Sequence, residues 1–200
     1  MTERIFIWVG NPRETSLNAG MADAYQQAAA AEGAEIRRMD LHAMRFDANL
    51  HHGYKEIQDL EPDLKTWQEN VDWASHLCWV YPYWWGSMPA RMKGVLDRAW
   101  LPGFAIHFHD RDPMWDRKLK GRSADVMITG DTPPLMDRFL FNWPGRAQAS
   151  RYVLRFAGIR PVRARQFGSV RLSSQKKIDS WVEKAARLGR KAARGHKGWV

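Results

Sequence analysis

Two short segments carry side chains able to do chemistry. The first, GNPRETSLN at residues 10–18, sets Asn11, Thr15, Ser16 and Asn18 where a helix is about to begin. The first amide groups of a helix have no intrahelical acceptor and its dipole favours an anion, so hydroxyl and amide side chains beside them form a phosphate cradle. The same residues serve a plainer end equally well, because Thr15 or Ser16 can simply cap the helix. Neither the Gly-x-Gly-x-x-Gly nor the Gly-Lys-Ser/Thr pattern occurs in this loop, so neither strand-helix nucleotide fingerprint applies. The second segment, YPYWWGSMPARMKGVLDRAW at 81–100, places Tyr81, Tyr83, Trp84 and Trp85 beside Pro82 and Gly86, just ahead of a helix starting at Pro89. Large rings normally bury their area in a core, so a cluster of them in a turn calls for a partner surface or a flat ligand.

The elements that must position these loops are legible from period. RIFIWVG (4–10) is a short apolar run ending in Gly10, and the Ala-rich stretch after it reads as a helix stopped by Gly33. Residues 34–41 give a second strand and 42–61 an irregular excursion holding His51, His52 and Gly53. Leu64, Trp67, Val71 and Ala74 form a helical stripe starting at Pro62, and HLCWVY is a third strand. Met88, Met92, Val95, Leu96, Ala99 and Trp100 predict an amphipathic helix after the aromatic loop. Residues 103–122 show no period. SADVMIT (123–129) is a fourth strand, 144–158 a helix, 162–170 a fifth strand, and a last helix follows Ser173 or Ser174. Five strands separated by crossover helices, with strands that are apolar runs more than alternations, predict a doubly wound α/β domain spanning 1–200 with a parallel sheet covered on both faces.

Composition narrows the partners. The chain has 200 residues, 44% hydrophobic and 26% charged, as one globular domain would. It contains no apolar run near 18 residues, and only four residues precede the first strand, so neither a membrane span nor a signal peptide is expected and a cytoplasmic location is. The single cysteine, Cys78, sits in an apolar strand and reads as a buried thiol. The net charge of +9 favours acidic partners. Much of it lies in the last helix, at Lys176, Lys177, Lys184, Arg187, Arg190, Lys191, Arg194 and Lys197, around an apolar stripe. That arrangement is the solvated face of a terminal helix, and the aromatic loop lies about 80 residues away, so a nucleic-acid surface is not expected. His51 with His52, and His107 with His109 near Asp110 and Asp112, lack any metal-ligand spacing, so no metal is expected.

In open α/β sheets ligands bind beyond the carboxyl ends of the strands where the strand order reverses; with the flavodoxin order 2-1-3-4-5 that point lies between strands 1 and 3. Both chemical loops then meet there. A phosphate cradle beside a flat aromatic surface suits flavin mononucleotide, with the phosphate on the first loop, the ring's heteroatoms within reach of the amides of Trp84, Trp85 and Gly86, and the loop TGDTPP after strand 4 closing the other edge.

The segments NPRETSLN and PYWWGSMPARMKGVLDRAWLPGFA, with IRPVRARQFGSV later, resemble the NAD(P)H:quinone oxidoreductase family of flavodoxin-like proteins over most of the chain. The resemblance implies a homodimer with one FMN or FAD per subunit, reduced by NAD(P)H and reoxidised by a quinone-type acceptor. Carried over residue by residue, it implies that Ser16, Leu17 and Asn18 hold the flavin phosphate, that Pro82, Tyr83, Trp84 and Trp85 line the ring, and that Thr129 and Gly130 meet its pyrimidine edge, with Asp131 beside them. Trp85, Phe108 and Thr132 become the expected walls of the acceptor pocket, and His107 and His109 the candidates for proton transfer. The chain departs from the family in carrying Asn11 where many members have His, and Ile106 and Phe108 where the animal enzymes have tyrosines. Some relatives regulate potassium efflux channels and some flavodoxin-like proteins carry electrons, so the alternative is a subunit without turnover of its own.

Overall fold

The computed structural model describes residues 2–195, which leaves Lys197 of the basic tail outside the described residues. The chain runs β1 (Arg4–Val9), α1 (Leu17–Ala31), β2 (Glu35–Asp40), α2 (Pro62–Trp73), β3 (His76–Pro82) and α3 (Ala90–Ala99). It continues through β4 (Ile106–Phe108), β5 (Trp115–Arg117), β6 (Ser123–Thr129), α4 (Pro134–Phe141), α5 (Pro144–Ala147) with a π-helical continuation (Gln148–Leu154), β7 (Val162–Phe167) and α6 (Gln175–Ala193). Five strands form one parallel sheet in the order β2-β1-β3-β6-β7, which is the 2-1-3-4-5 pattern once the separate β4–β5 hairpin is set aside. Every residue of β3 and β6 is buried, as central strands covered on both faces require.

Two apolar layers sandwich the sheet. One face packs Ile5, Ile7, Cys78 and Val80 against α1 and α6, through Met21, Tyr25, Trp181 and Leu188. The other face is built on indoles. Trp8 meets Trp67 at 5.0 Å and Trp79 at 5.4 Å edge to face, and Trp100 meets Trp67 and Trp79 at 5.8 and 5.9 Å. Trp100 and Phe104 thus belong to the chain's own core and do not add to an exposed aromatic surface. Beneath the α1 face, Asp125 accepts two bonds of 2.6 Å from Arg163 and one of 2.9 Å from the Tyr25 hydroxyl. Burial alone would raise the Asp125 carboxyl, but the hydrogen bond and charge of His76 and the Arg163 fork hold it below the usual carboxylate range.

Three segments differ from the sequence expectation. Residues 103–122, expected to be irregular, contain the β4–β5 hairpin, whose three-residue strands are too short to display an alternation. The stretch after β6 contains α4, whose eight residues make little more than about two turns, too few to establish a period. The fifth strand ends at Phe167, three residues early. Ser174 occupies the N-cap position of α6 through its carbonyl, which accepts from Lys177 and Ile178, and not through its hydroxyl. Gly33 does stop α1, at φ +87°, in the left-handed region that a Cβ resists. No described helix is long and apolar enough to cross a membrane.

Two arginines of α3 hold the excursion at 42–61, Arg91 by donating to the Met44 carbonyl and Arg98 by a wider set of bonds. Arg98 of α3, 1% exposed, donates to the carbonyls of Asp47 (2.6 Å) and Asp59 (2.7 Å) and to both carboxylate oxygens of Glu61 (3.2 and 3.0 Å). Removing a guanidinium from such a set strands several acceptors at once, at a cost of roughly 3 kcal/mol. Arg98→Ala should lower the urea midpoint accordingly and make residues 42–61 the first protease-sensitive segment. A midpoint shift corresponding to under about 1 kcal/mol would show that the excursion is held by other contacts.

Candidate functional site

The strand order reverses between β1 and β3, so the loops leaving their carboxyl ends diverge and open a cleft of about 460 Å³. Its walls come from Asn11, Arg13, Ser16, Leu17 and Asn18 after β1, from Pro82, Tyr83 and Trp84 after β3, and from Thr129, Gly130 and Asp131 after β6. Val170 and Arg171, after β7, close the far side.

On the α1 side, Ser16 takes an extended backbone (φ −158°, ψ 160°) and its Oγ accepts from the Ala19 N–H at 3.2 Å, capping the helix. The N–H groups at the start of α1 have no acceptor within the helix. Asn18 does something the sequence does not announce. Its Nδ2 donates to Thr129 Oγ1 (3.0 Å) while its Oδ1 accepts from Asn11 Nδ2 (2.9 Å), and all three residues are at most 5% exposed. Its side chain therefore ties β1, α1 and β6 together, and its expected contact with a phosphate falls to its backbone amide. Asn11 Oδ1 accepts from the Arg13 N–H at 3.0 Å, which shapes the loop between them.

The aromatic side is a two-residue turn. Trp84 N–H donates to the Ser87 carbonyl (2.9 Å) and Ser87 N–H to that of Trp84 (3.0 Å), with Trp85 at φ +50° and Gly86 at φ +79°. The Trp84 amide is therefore committed inside the turn and cannot bind a ligand, contrary to the sequence expectation, which leaves the amides of Trp85 and Gly86. A bulky residue in the left-handed region costs about 1–3 kcal/mol, a strain that functional turns commonly hold. Trp85 is fully exposed, Trp84 is 45% exposed, and Trp85 and Gly86 flank the cleft without lining it. Tyr81 is buried in the core, and of the rings beyond it Tyr83 is the least exposed. A Cβ on Gly130 would come within 3.1 Å of it and one on Gly145 within 2.3 Å, so two glycines make its place. Its hydroxyl donates to Asp137 Oδ1 at 3.0 Å, and burial together with that bond pushes its pKa up to about 12.

Loop 4 is braced to the β7 exit. Asp131 Oδ1 accepts from the Arg171 N–H at 2.7 Å, and the Asp131 carbonyl accepts from the Ser169 hydroxyl. This sets two arginines, Arg13 and Arg171, on the rim beside the α1 N-terminus, a pair that loop-by-loop sequence reading passed over. Arg13 was visible inside the first motif, and Arg171 follows from the rule that sites gather every loop at the carboxyl ends.

Other expected residues lie elsewhere. Thr15 is exposed, and Thr132 is half-buried below the rim; neither is among the lining residues. His107, Phe108 and His109 sit on or just after β4, outside the cleft of their own chain. His109 is held by Asp112 (3.0 Å) and Asp116 (3.5 Å), whose bonds raise its pKa above the ordinary histidine value. His51 pairs with Asp47 at 2.6 Å. Among the described residues no group of three or more His, Cys, Asp or Glu is placed to hold a metal. Cys78 is buried, and that burial pushes its thiol up.

A cleft of this geometry at a strand-order switch defines a flavodoxin-like protein. A model of the flavodoxin-like fold family matches residues 3–191, and the chain belongs to that family. Its sequence is similar to an uncharacterized NAD(P)H oxidoreductase of Escherichia coli, YcaK, at 31% identity over 52% of this chain and 56% of that one. The chain spans about half the length of the curated relatives it first matches. Among solved structures, the NAD(P)H:quinone oxidoreductase of Methanothermobacter marburgensis shares the fold with a TM-score of 0.78 at 21% identity, over 95% of this chain and 98% of that one. An FMN-dependent NADH-azoreductase of Bacillus anthracis, solved with FMN, does so with a TM-score of 0.72 at 12% identity, over 96% and 99%.

The buried amide–hydroxyl chain is the part of the site most open to a stability test. Asn18→Ala leaves Asn11 and Thr129 short of partners in a closed environment and should cost roughly 1–3 kcal/mol in chemical denaturation. Stability equal to that of the parent would mean that water or a neighbour replaces the amide.

Proposed function

We propose that the protein is a flavin-dependent NAD(P)H oxidoreductase that reduces quinones or similar acceptors. The observation that carries this reading is the cleft at the β1/β3 switch, with a helix N-terminus and two arginines at one end and Tyr83 and the Trp84–Ser87 turn at the other. These residues fit FMN. The α1 amides, the Ser16 hydroxyl, Arg13 and Arg171 suit a dianionic phosphate. Gly130, where a Cβ would meet Tyr83, lets that ring pack against the backbone at Thr129–Asp131, so the two together offer one wall for a flat ring. The NAD(P)H oxidoreductase relative and the FMN-bearing structural neighbour support the same cofactor and donor.

Flavin when bound supplies hydride acceptance and donation. This chain's task is position and environment. The Tyr83–Asp137 bond fixes the ring wall, and a hydroxyl with a pKa near 12 stays protonated through the neutral range. Thr132, Trp85 and the Trp84 face would border the space for nicotinamide and acceptor, which then take turns in one pocket and give ping-pong kinetics. His107, Phe108 and His109 stand outside the cleft of their own chain, so a part for them in turnover or proton transfer requires the hairpin of a second subunit. A homodimer is also supported by the apolar surface of α4, where Leu135, Met136, Phe139, Leu140 and Phe141 are 49–75% exposed.

The replacement of Arg13 and Arg171 by Ala should weaken FMN binding about tenfold or more per arginine, with little change in folding stability. Stopped-flow mixing of the anaerobic flavoprotein with NADH or NADPH should bleach the flavin band near about 450 nm, and a quinone should restore it. A bound flavin that stays oxidised with both donors would turn the reading toward a carrier or regulatory subunit. Sedimentation at micromolar concentration should show a dimer, and a monomer there would remove the shared-site account of the hairpin.

A further inference from the structure

We propose that a second cavity, between α5 with its π-helical continuation and β7, is an anion site for phosphate-bearing molecules, a diphosphate group above all. It measures about 200 Å³ and is lined by Trp143, Arg146, Ser150, Arg151 and Arg155 together with Asn142. The arginine of its inner wall is set in place in advance. The Arg146 guanidinium lies 4.0 Å from the Trp143 ring, and that ring is fixed by its Nε1–H donating to the Pro134 carbonyl at 3.0 Å. Arg138 approaches the same ring at 5.1 Å.

The charge is one-sided. Arg151 and Arg155 stand four residues apart, a spacing at which like charges on a regular helix repel. Burial, then the nearby charges of Arg165 and Arg138, lower the Arg146 pKa. The carboxylate that opposes them is Asp137, whose Oδ1 is already taken by the Tyr83 hydroxyl. Among the described residues none of Arg146, Arg151, Arg155 and Arg165 forms an ion pair with a carboxylate. Guanidinium groups gathered without ion-pair partners around a small cavity match the several oxygens of a phosphate or diphosphate, each group being able to bind two oxygens at once.

The cavity shares Asn142, Ala147 and Arg151 with a groove that reaches Gly86 of the aromatic turn. The same phosphate chemistry could thus come from the diphosphate of a nicotinamide dinucleotide lying along the groove, or from a separate phosphorylated metabolite. The proposal itself does not depend on the flavin reading, because anion binding here needs no flavin.

Titration calorimetry of the full chain with inorganic pyrophosphate tests it. The parent should bind saturably, and the double variant Arg151→Gln/Arg155→Gln, both residues exposed and outside the flavin cleft, should bind at least about tenfold more weakly while retaining FMN. With saturating FMN present, so that the phosphate cradle of the flavin cleft is filled, the variant Arg171→Gln should bind pyrophosphate as the parent does under the same conditions. Steady-state kinetics then separate the sources. A KM raised for NADH but not for reduced nicotinamide mononucleotide identifies the dinucleotide tail, and unchanged KM values with lost pyrophosphate binding identify a separate phosphate ligand. No saturable binding by the parent at millimolar pyrophosphate, or equal binding by the Arg151/Arg155 variant, would overturn the proposal.

Discussion

The site depends on one buried chain of hydrogen bonds, Asn11 to Asn18 to Thr129. Parallel strands end at the same level but their loops leave in different directions, and nothing in the sheet itself fixes where α1 begins. The Asn18 amide does so by donating to the end of β6 and accepting from the loop after β1. In a closed setting each of these polar groups is costly to leave unpaired, so the three elements are locked at one height. The free amides of the α1 N-terminus are thereby held over the switch between β1 and β3.

The rest of the molecule supports that point from two sides. Behind it, the indole layer of Trp8, Trp67, Trp79 and Trp100 fills the sheet face under α2 and α3 by edge-to-face packing, each pair contributing about 0.5–1.5 kcal/mol beyond area burial. In front of it, polar side chains pin each loop: Asp131 to the Arg171 amide, Asp137 to Tyr83, Asn11 to the Arg13 amide. A stiff apolar scaffold below and short polar ties above give a cleft whose anion-binding end and aromatic end are preset before any ligand arrives.

Much of this was legible in the sequence, for a physical reason. Strands buried on both faces read as apolar runs, and α2 and α3 carry stripes at Leu64, Trp67 and Val71 and at Met92, Val95 and Leu96, so order and topology follow from period and crossover rules. Both loops of the cleft announce themselves by side-chain type, hydroxyls and amides ahead of α1 and a cluster of rings after β3. What stayed hidden is what depends on direction or on distant partners. Asn18 has the right chemistry for a phosphate, but its side chain turns inward to Thr129, 111 residues away. The Trp84 amide is spent within its own turn, which no composition reveals. The hairpin at Ile106–Phe108 and Trp115–Arg117 is too short for a period, and α4 has only eight residues in which to show one. The arginines around Trp143 are spread over 138–165 in sequence and meet only because α5 folds back along β7.

The most direct measurement is a crystal structure of the protein reconstituted with FMN. The account predicts the phosphate on the backbone amides that open α1, within reach of Arg13 and Arg171, and the ring against the wall that Tyr83 and the Thr129–Asp131 segment form together. Flavin density away from the β1/β3 cleft, or a cleft left empty at saturating FMN, would contradict it.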